Sequence, residues 1–229
     1  MKVVIAFDKS FYRDTFLKLK EIYLDFEFYY FENNSMLNLP LLESINPKFI
    51  FFPHWSTIIP KEIYENFNCI IFHMTDLPYG RGGSPLQNLI ARGIYETKIS
   101  AIKCVETLDA GPIYTKVPFS LHGNAEEIYL RAAEKIQGMI EYILNNEPEP
   151  IEQSGQIIEF KRRNPLESDL SGLSSLHAVF DYIRMLDADG YPKAFIEVGD
   201  FRYEFTRASR KANEVIADVK IKLKRTEEI

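Results

Sequence analysis

Several things are scarce in this chain. No apolar run approaches the roughly 18 residues of a membrane-spanning helix, so no such span is expected. The N-terminus, MKVVIAFDKSF, has only a five-residue apolar run before Asp8. That is short for a signal peptide and reads better as a first strand in a cytoplasmic protein. Only two cysteines occur, Cys69 and Cys104, each inside an apolar strand-like run. They lack metal-ligand spacing, so buried free thiols in a reducing compartment are expected, and no metal. No internal repeat or low-complexity tract appears. An excess of positive charge is also missing. The net charge is −6, and residues 1–150 carry 14 Lys and Arg against 19 Asp and Glu. This weakens the case for a nucleic-acid binder, which needs clustered cations. The exception lies near the end. Arg202, Arg207, Arg210, Lys211, Lys220, Lys222, Lys224 and Arg225 face only Glu204, Glu214 and Asp218 across residues 202–225. That strip reads as a solvated strand face.

What is present suffices for a folded core, since 46% of the 229 residues are hydrophobic and 14% aromatic. Strand-like runs at 1–7, 26–31, 49–53, 68–73 and 100–106 alternate with helical patterns at 11–23, 38–46, 61–67 and 84–92. Ser84 and Pro85 read as N-cap and first helical residue. Residues 108–121 read as extended with a Gly-Pro break. The helix at 124–146 is the clearest, with Asn124 and Glu127 spaced as a capping box. Residues 147–156, EPEPIEQSGQ, shift to Pro, Glu and Gln and read as a linker. A short strand, a helix near 176–186 and three strands follow. The pattern predicts an α/β fold: a parallel sheet over residues 1–150, then a small β-rich domain over 157–229. Active sites of such sheets lie at the carboxyl ends of the strands. His73, Asp109 and the Pro53-His54-Trp55 run all follow strands.

The stretch FHMTDLPYGRGGSPLQNLI, residues 72–90, is unusual. A histidine ends an apolar strand, and a turn with Pro78, Gly80, Gly82 and Gly83 lets backbone approach a ligand. Arg81 inside that turn needs an anionic or carbonyl partner if buried. Thr75 and Asp76 fit either turn capping or ligand contact.

These residues resemble the folate-dependent formyltransferases. His73, Thr75, Leu77, Pro78, Arg81, Gly82 and Pro85 match the signature H-x-[ST]-x-L-P-x-x-R-G-x-x-P. Leu108, Asp109, Ala110 and Gly111 match the Leu-Asp-x-Gly loop after the next strand. The apolar loop WSTIIP, residues 55–60, resembles the segment that lines the folate pocket. The resemblance spans roughly residues 45 to 205. It implies a Rossmann-like formyltransferase domain and N10-formyltetrahydrofolate as co-substrate. It assigns His73 and Asp109 to catalysis. It assigns Trp55, Ser56, Thr57, Ile58, Ile59 and Asp109 to the folate, and Thr75, Arg81, Gly82 and His54 to the substrate. There is one departure at the centre. The family carries an Asn two residues before the His, donating to the developing oxyanion; here that residue is Ile71. Losing one such donor costs about 2.7–4 kcal/mol. His54, Gln87, Asn88 or a glycine-turn N–H could replace it, or the chain could bind without catalysing.

The acidic charge, short N-terminal half and small tail resemble the sugar N-formyltransferases. The expected acceptor is therefore a nucleotide-linked 4-amino-4,6-dideoxy sugar, with methionyl-tRNA as the alternative. Glycinamide ribonucleotide is disfavoured, because its enzymes usually lack such a tail. His122 and His177 read as structural, Lys161-Arg162-Arg163 as a diphosphate contact or a solvated loop. The apolar tail strands could pair a homodimer.

Overall fold

In the computed structural model, residues 1–7 and 13–224 are described. The first part of the helix expected at 11–23 and Arg225 of the basic strip lie outside them. Residues group into two compact units, one of 1–82, 96–119 and 130–160, the other of 83–95, 120–129 and 161 onward.

The first unit is built on a six-stranded sheet. Its strands are β1 (Lys2–Phe7), β2 (Glu27–Phe31), β3 (Phe49–His54), β4 (Cys69–His73), β6 (Glu96–Lys103) and β7 (Ile113–Ser120). They lie in the order β2-β1-β3-β4-β6-β7. The first four are mutually parallel, and β4 pairs antiparallel to β6. The sheet is therefore mixed, not wholly parallel as the βα alternation suggested. The connection from β4 to β6, residues 74–95, is long enough for either direction, so its length does not fix the orientation of β6. Central strands read as continuous apolar runs because both faces are covered. Val3 to Phe7 and Phe49 to Phe52 are buried throughout. One face packs against α2 (Leu39–Ile45) and α3 (Lys61–Tyr64) through Val4, Ala6, Ile50, Phe52, Cys69, Leu42 and Ile63. Helix α1 (Arg13–Ile22) buries Phe16 and Leu19. Asn38 caps α2 by accepting the Leu41 N–H at 3.1 Å.

The capping box opening α5 (Ala125–Asn146) is present. Asn124 accepts the Glu127 N–H and Glu127 accepts the Asn124 N–H, both at 2.9 Å. The segment expected as a linker is tied down. Ile151 exchanges backbone hydrogen bonds with Ile113 at 2.7 and 2.9 Å. Beyond it β8 (Ile158–Phe160), read from sequence with the tail, pairs in parallel with β5 (Tyr79–Gly82) in the first unit.

The second unit contains α4 (Pro85–Ile90), α6 (Leu176–Arg184) and a three-stranded antiparallel sheet. Its strands are β9 (Ala194–Val198), β10 (Phe201–Arg210) and β11 (Val215–Leu223), with β10 central. Ser84 does not cap α4 as expected. It sits at φ 51°, and its hydroxyl instead accepts the Arg163 N–H at 3.1 Å. Among the described residues, no helix is long and apolar enough to cross a membrane, and no group of His, Cys, Asp and Glu could hold a metal.

Candidate active site

His73 is the last residue of β4, and its side chain is almost wholly buried. The chain then turns through a cis Leu77–Pro78 bond into β5. Gly80 and Gly82 adopt φ of 80° and 102°. A Cβ on Gly82 would lie 2.4 Å from the Phe160 carbonyl oxygen, and one on Gly80 would meet the Phe160 ring at 2.7 Å. Glycine is required at both, because β8 passes directly against the turn.

This close turn delivers backbone groups to the histidine. His73 Nε2 lies 2.7 Å from the Gly80 carbonyl oxygen. A carbonyl only accepts, so Nε2 carries a hydrogen. Nδ1 faces Asp109 Oδ2 at 3.5 Å. The same Oδ2 accepts the Gly82 N–H at 2.9 Å. Asp109 is buried and sits at φ 53°, in a loop whose Gly111 is also sterically required. A Cβ at Gly111 would come within 1.8 Å of the Lys103 carbonyl oxygen. The ring thus has an oxygen acceptor facing each nitrogen.

Arg81 does find a carbonyl partner. Its Nε and Nη2 donate to Gln153 Oε1 at 3.1 and 2.8 Å. Gln153 Nε2 donates in turn to the Asp109 and Gly111 carbonyl oxygens, both at 2.8 Å. Gln153 therefore clamps the glycine turn to the aspartate loop. Nothing in its Glu- and Pro-rich surroundings singled it out. Thr75 is fully buried, and its hydroxyl lies 3.4 Å from the Gly80 oxygen. This favours its turn-holding role over direct substrate contact. Asp76 lies between Lys98 and Lys116, at 3.0 and 2.6 Å. Burial pushes its carboxyl up, but hydrogen bonds from the two lysines outweigh this and hold it below the usual carboxylate range.

His54 ends β3, which lies beside β4 in the sheet, and Trp55 follows it. Trp55 packs edge-on against Phe52 at 5.7 Å, and its indole Nε1 is buried with no hydrogen-bond partner. Of the loop expected to line the folate pocket, Ser56, Thr57 and Ile58 are exposed. Ile59 instead turns into the core cluster with Leu42 and Ile63, because its neighbour α3 buries that side of the loop. Ile71 shares a sheet face with His73 and packs against the same cluster. Two suggested replacements for the missing Asn are otherwise engaged. Asn88 Nδ2 donates to the Gly83 and Lys161 carbonyls, and Gln87 Nε2 to Tyr129 and Met185. Arg163 is likewise tied to Glu167 and stacked over Tyr182.

Two hollows in the first unit, of about 170 and 350 Å³, lie by Asn68, Tyr114 and Glu149. That is the start of β4, the opposite end from His73, and they contain no comparable group of reactive side chains.

Comparison with known proteins gives one family. The methionyl-tRNA formyltransferase C-terminal domain model matches residues 165–222. A solved methionyl-tRNA formyltransferase from Clostridium thermocellum is 48% identical, with a TM-score of 0.95, covering 98% of this chain and 100% of that one. A methionyl-tRNA formyltransferase from Wolbachia pipientis is 28% identical over 173 residues, 69% of this chain and 53% of that protein. The chain spans about half the length of the curated relatives it matches. A sugar N-formyltransferase from Shewanella shares the fold at TM-score 0.72 but only 16% identity, over 93% of this chain and 99% of that one. These matches overturn the nucleotide-linked amino sugar as the expected acceptor and favour the alternative, methionyl-tRNA. Charge totals misled because they record composition, not where a substrate lies. A relative nearly half identical and covered end to end, together with the His73–Asp109 arrangement, shows that this chain belongs to the folate-dependent formyltransferase family, with clear similarity to its methionyl-tRNA formyltransferases.

Proposed function

We propose that this chain transfers a formyl group from N10-formyltetrahydrofolate to the amine of methionyl-tRNA. The observation that carries this is the 48% identity, over 98% of the chain, to a methionyl-tRNA formyltransferase. The co-substrate supplies an activated formyl group on a nitrogen that can leave. The protein must provide a hydrogen-bond donor where the formyl oxygen gains charge and an acceptor for the amine's proton. His73 Nε2–H donates into the turn, and a reacting oxygen would replace the Gly80 carbonyl as its acceptor. Asp109, held by the Gly82 N–H, orients the ring through Nδ1, and its carboxylate is the group that takes up the amine's proton. Arg81 and Gly82 shape the substrate side, with Thr75 behind them.

Residues at the end of β3 fit the folate. Trp55 Nε1 is a buried donor without an acceptor, and such a group costs free energy until a ligand or water meets it. Exposed Ile58 offers apolar surface beside it. His54, Ser56 and Thr57 complete that rim; Ile59 supports it from the core. Ile71 supplies no donor, so His73 carries more of the oxyanion stabilisation than the family pattern requires. The two buried free thiols support a reducing, cytoplasmic setting.

The test is a formyl-transfer assay with N10-formyltetrahydrofolate and methionyl-tRNA as acceptor. Formyl-methionyl-tRNA appearing with stoichiometric tetrahydrofolate release, and its loss in His73→Ala, is the expected result. No transfer by protein that still binds the folate would overturn the proposal and leave a binding protein.

A further inference from the structure

Residues 151–160 leave the end of α5 and run past the candidate site, touching it at several points. Ile151 pairs with Ile113 in an antiparallel bridge. Continuing that register puts Gln153 opposite Gly111 in the aspartate loop. Further on, a Cβ at Gly155 would lie 3.7 Å from Pro78 Cγ, and the Ile158 N–H donates to the Pro78 carbonyl at 3.3 Å. Phe160 then closes against the glycine turn from β8. Within this run, Gln153 reaches both the aspartate loop and the glycine turn through one side chain.

A glutamine amide has two N–H donors and two acceptor lone pairs, and here all four are used. Nε2 donates to the Asp109 and Gly111 carbonyls, both at 2.8 Å, and Oε1 accepts from Arg81 Nε and Nη2 at 3.1 and 2.8 Å. The reversed amide would set an oxygen against two carbonyl oxygens and a donor against a guanidinium, so one orientation fits. What these bonds hold is Asp109, whose backbone sits at φ 53°, uncommon for a residue with a side chain. The peptide that follows Asp109 is pinned from both sides. Its N–H, on Ala110, donates to the Thr107 carbonyl at 3.2 Å, and its carbonyl oxygen accepts from Gln153. The carboxylate of the same residue accepts the Gly82 N–H at 2.9 Å and lies 3.5 Å from His73 Nδ1. At that separation a small shift of the loop decides whether the two groups meet.

We propose that Gln153 is a positioning residue for formyl transfer: its amide fixes the main chain of the aspartate loop so that the Asp109 carboxylate stays against His73. It acts through Asp109 rather than on the substrate. Its other end, on Arg81, ties that loop to the turn that carries Gly80 and Gly82, so the oxygens facing both His73 nitrogens are held in one frame. Displacing one of them by about 1 Å is enough to cost on the order of 100-fold in rate.

Steady-state formyl transfer by the purified full chain tests it, with N10-formyltetrahydrofolate and methionyl-tRNA varied in turn. Gln153→Ala removes the clamp. Gln153→Glu is isosteric and keeps the Arg81 contact, but sets an oxygen against the two loop carbonyls. Both are expected to lose about 10- to 100-fold in kcat, with each KM within about threefold of wild type. Gln156→Ala, at an exposed position of the same segment, is expected to leave kcat and KM unchanged. Should Gln153→Ala fail to fold, the isosteric Gln153→Glu carries the test. Full kcat in Gln153→Glu overturns the proposal, and so does a loss that appears only in KM. This kinetic arm rests on the proposed transfer; the 15N resonance of His73 Nδ1 at fixed pH does not. Asp109→Asn is expected to move that resonance, and Gln153→Glu to move it in the same direction, with the His177 ring and the far-UV circular dichroism spectrum unchanged. A His73 resonance left at its wild-type position in both Gln153 variants overturns the proposal, even where the wild type transfers no formyl group.

Discussion

Two histidines in this molecule lie about the same distance from an aspartate, and they are built for different ends. His73 Nδ1 is 3.5 Å from Asp109, and His177 Nε2 is 3.4 Å from Asp181. The second pair comes from one turn of α6, where residues four apart face each other. Its hydrogen bonds run one way. Arg210 donates to His177 Nδ1, so Nε2 carries the hydrogen and donates to the Tyr95 hydroxyl, which donates to Asp181. Buried Arg184 also donates to Asp181 at 2.7 Å, and to the Leu121 and Gly123 carbonyls at 2.6 and 2.7 Å. At the nitrogen away from its aspartate, His177 faces a cation, Arg210, whereas His73 faces a carbonyl oxygen. Nearly equal distances thus hide opposite hydrogen-bond directions at the far nitrogen.

The largest expected effect separates the two pairs by activity. His73→Ala is expected to lower the formyl-transfer rate by about 10²–10⁴, the usual worth of a positioned acid–base group. His177→Ala is expected to stay within about threefold. Equal losses in the two variants would erase the contrast. Stability should invert the ranking. Asp181→Ala strands the buried Arg184 guanidinium and is expected to cost about 3–5 kcal/mol, read as chemical unfolding. Asp109→Asn, nearly isosteric and still able to accept the Gly82 N–H, is expected to cost under about 1.5 kcal/mol while removing most activity.

A smaller effect is expected at the turn itself. Gly82→Ala forces a Cβ toward the Phe160 carbonyl at an unfavourable φ, with an expected cost of about 1–3 kcal/mol. A variant as stable as wild type would mean that β8 yields easily, and that the turn is not held by it. The smallest effect concerns pH. The folded-state carboxyl of Asp76 lies below its ordinary value, so its contribution is present above the ordinary carboxylate range. It is lost as pH falls through the lowered folded value. Asp76 is half-exposed, so the effect is small. Lys116→Met is expected to flatten the acid limb of the stability curve slightly, as measured by urea unfolding between about pH 2 and 5.

Much of the frame was legible in the sequence, and the reasons are local. Apolar runs marked the central strands because both their faces are covered. Asn124 and Glu127 marked the start of α5 because a capping box closes within four residues. His73 and Asp109 were legible because each follows a strand within a dense motif. Other features were not. Ser84 has the residue type of an N-cap but adopts a left-handed conformation and serves Arg163 instead. Ile59 read as pocket lining and faces the core. Gln153 carried no signal, since glutamine in an acidic, Pro-rich stretch looks like linker.

By itself the sequence determined the alternation of strands and helices, the family, and the two residues on which the chemistry is proposed to turn. These follow from periodicity, capping and motif spacing, which act over one turn or one strand. Tertiary structure alone decided the antiparallel placement of β6 and the packing of β8 against the glycine turn. It also decided which atoms face each nitrogen of His73. The Arg81–Gln153 contact closes over 72 residues. Such a contact depends on strand order and register, which only the burial of the whole core selects.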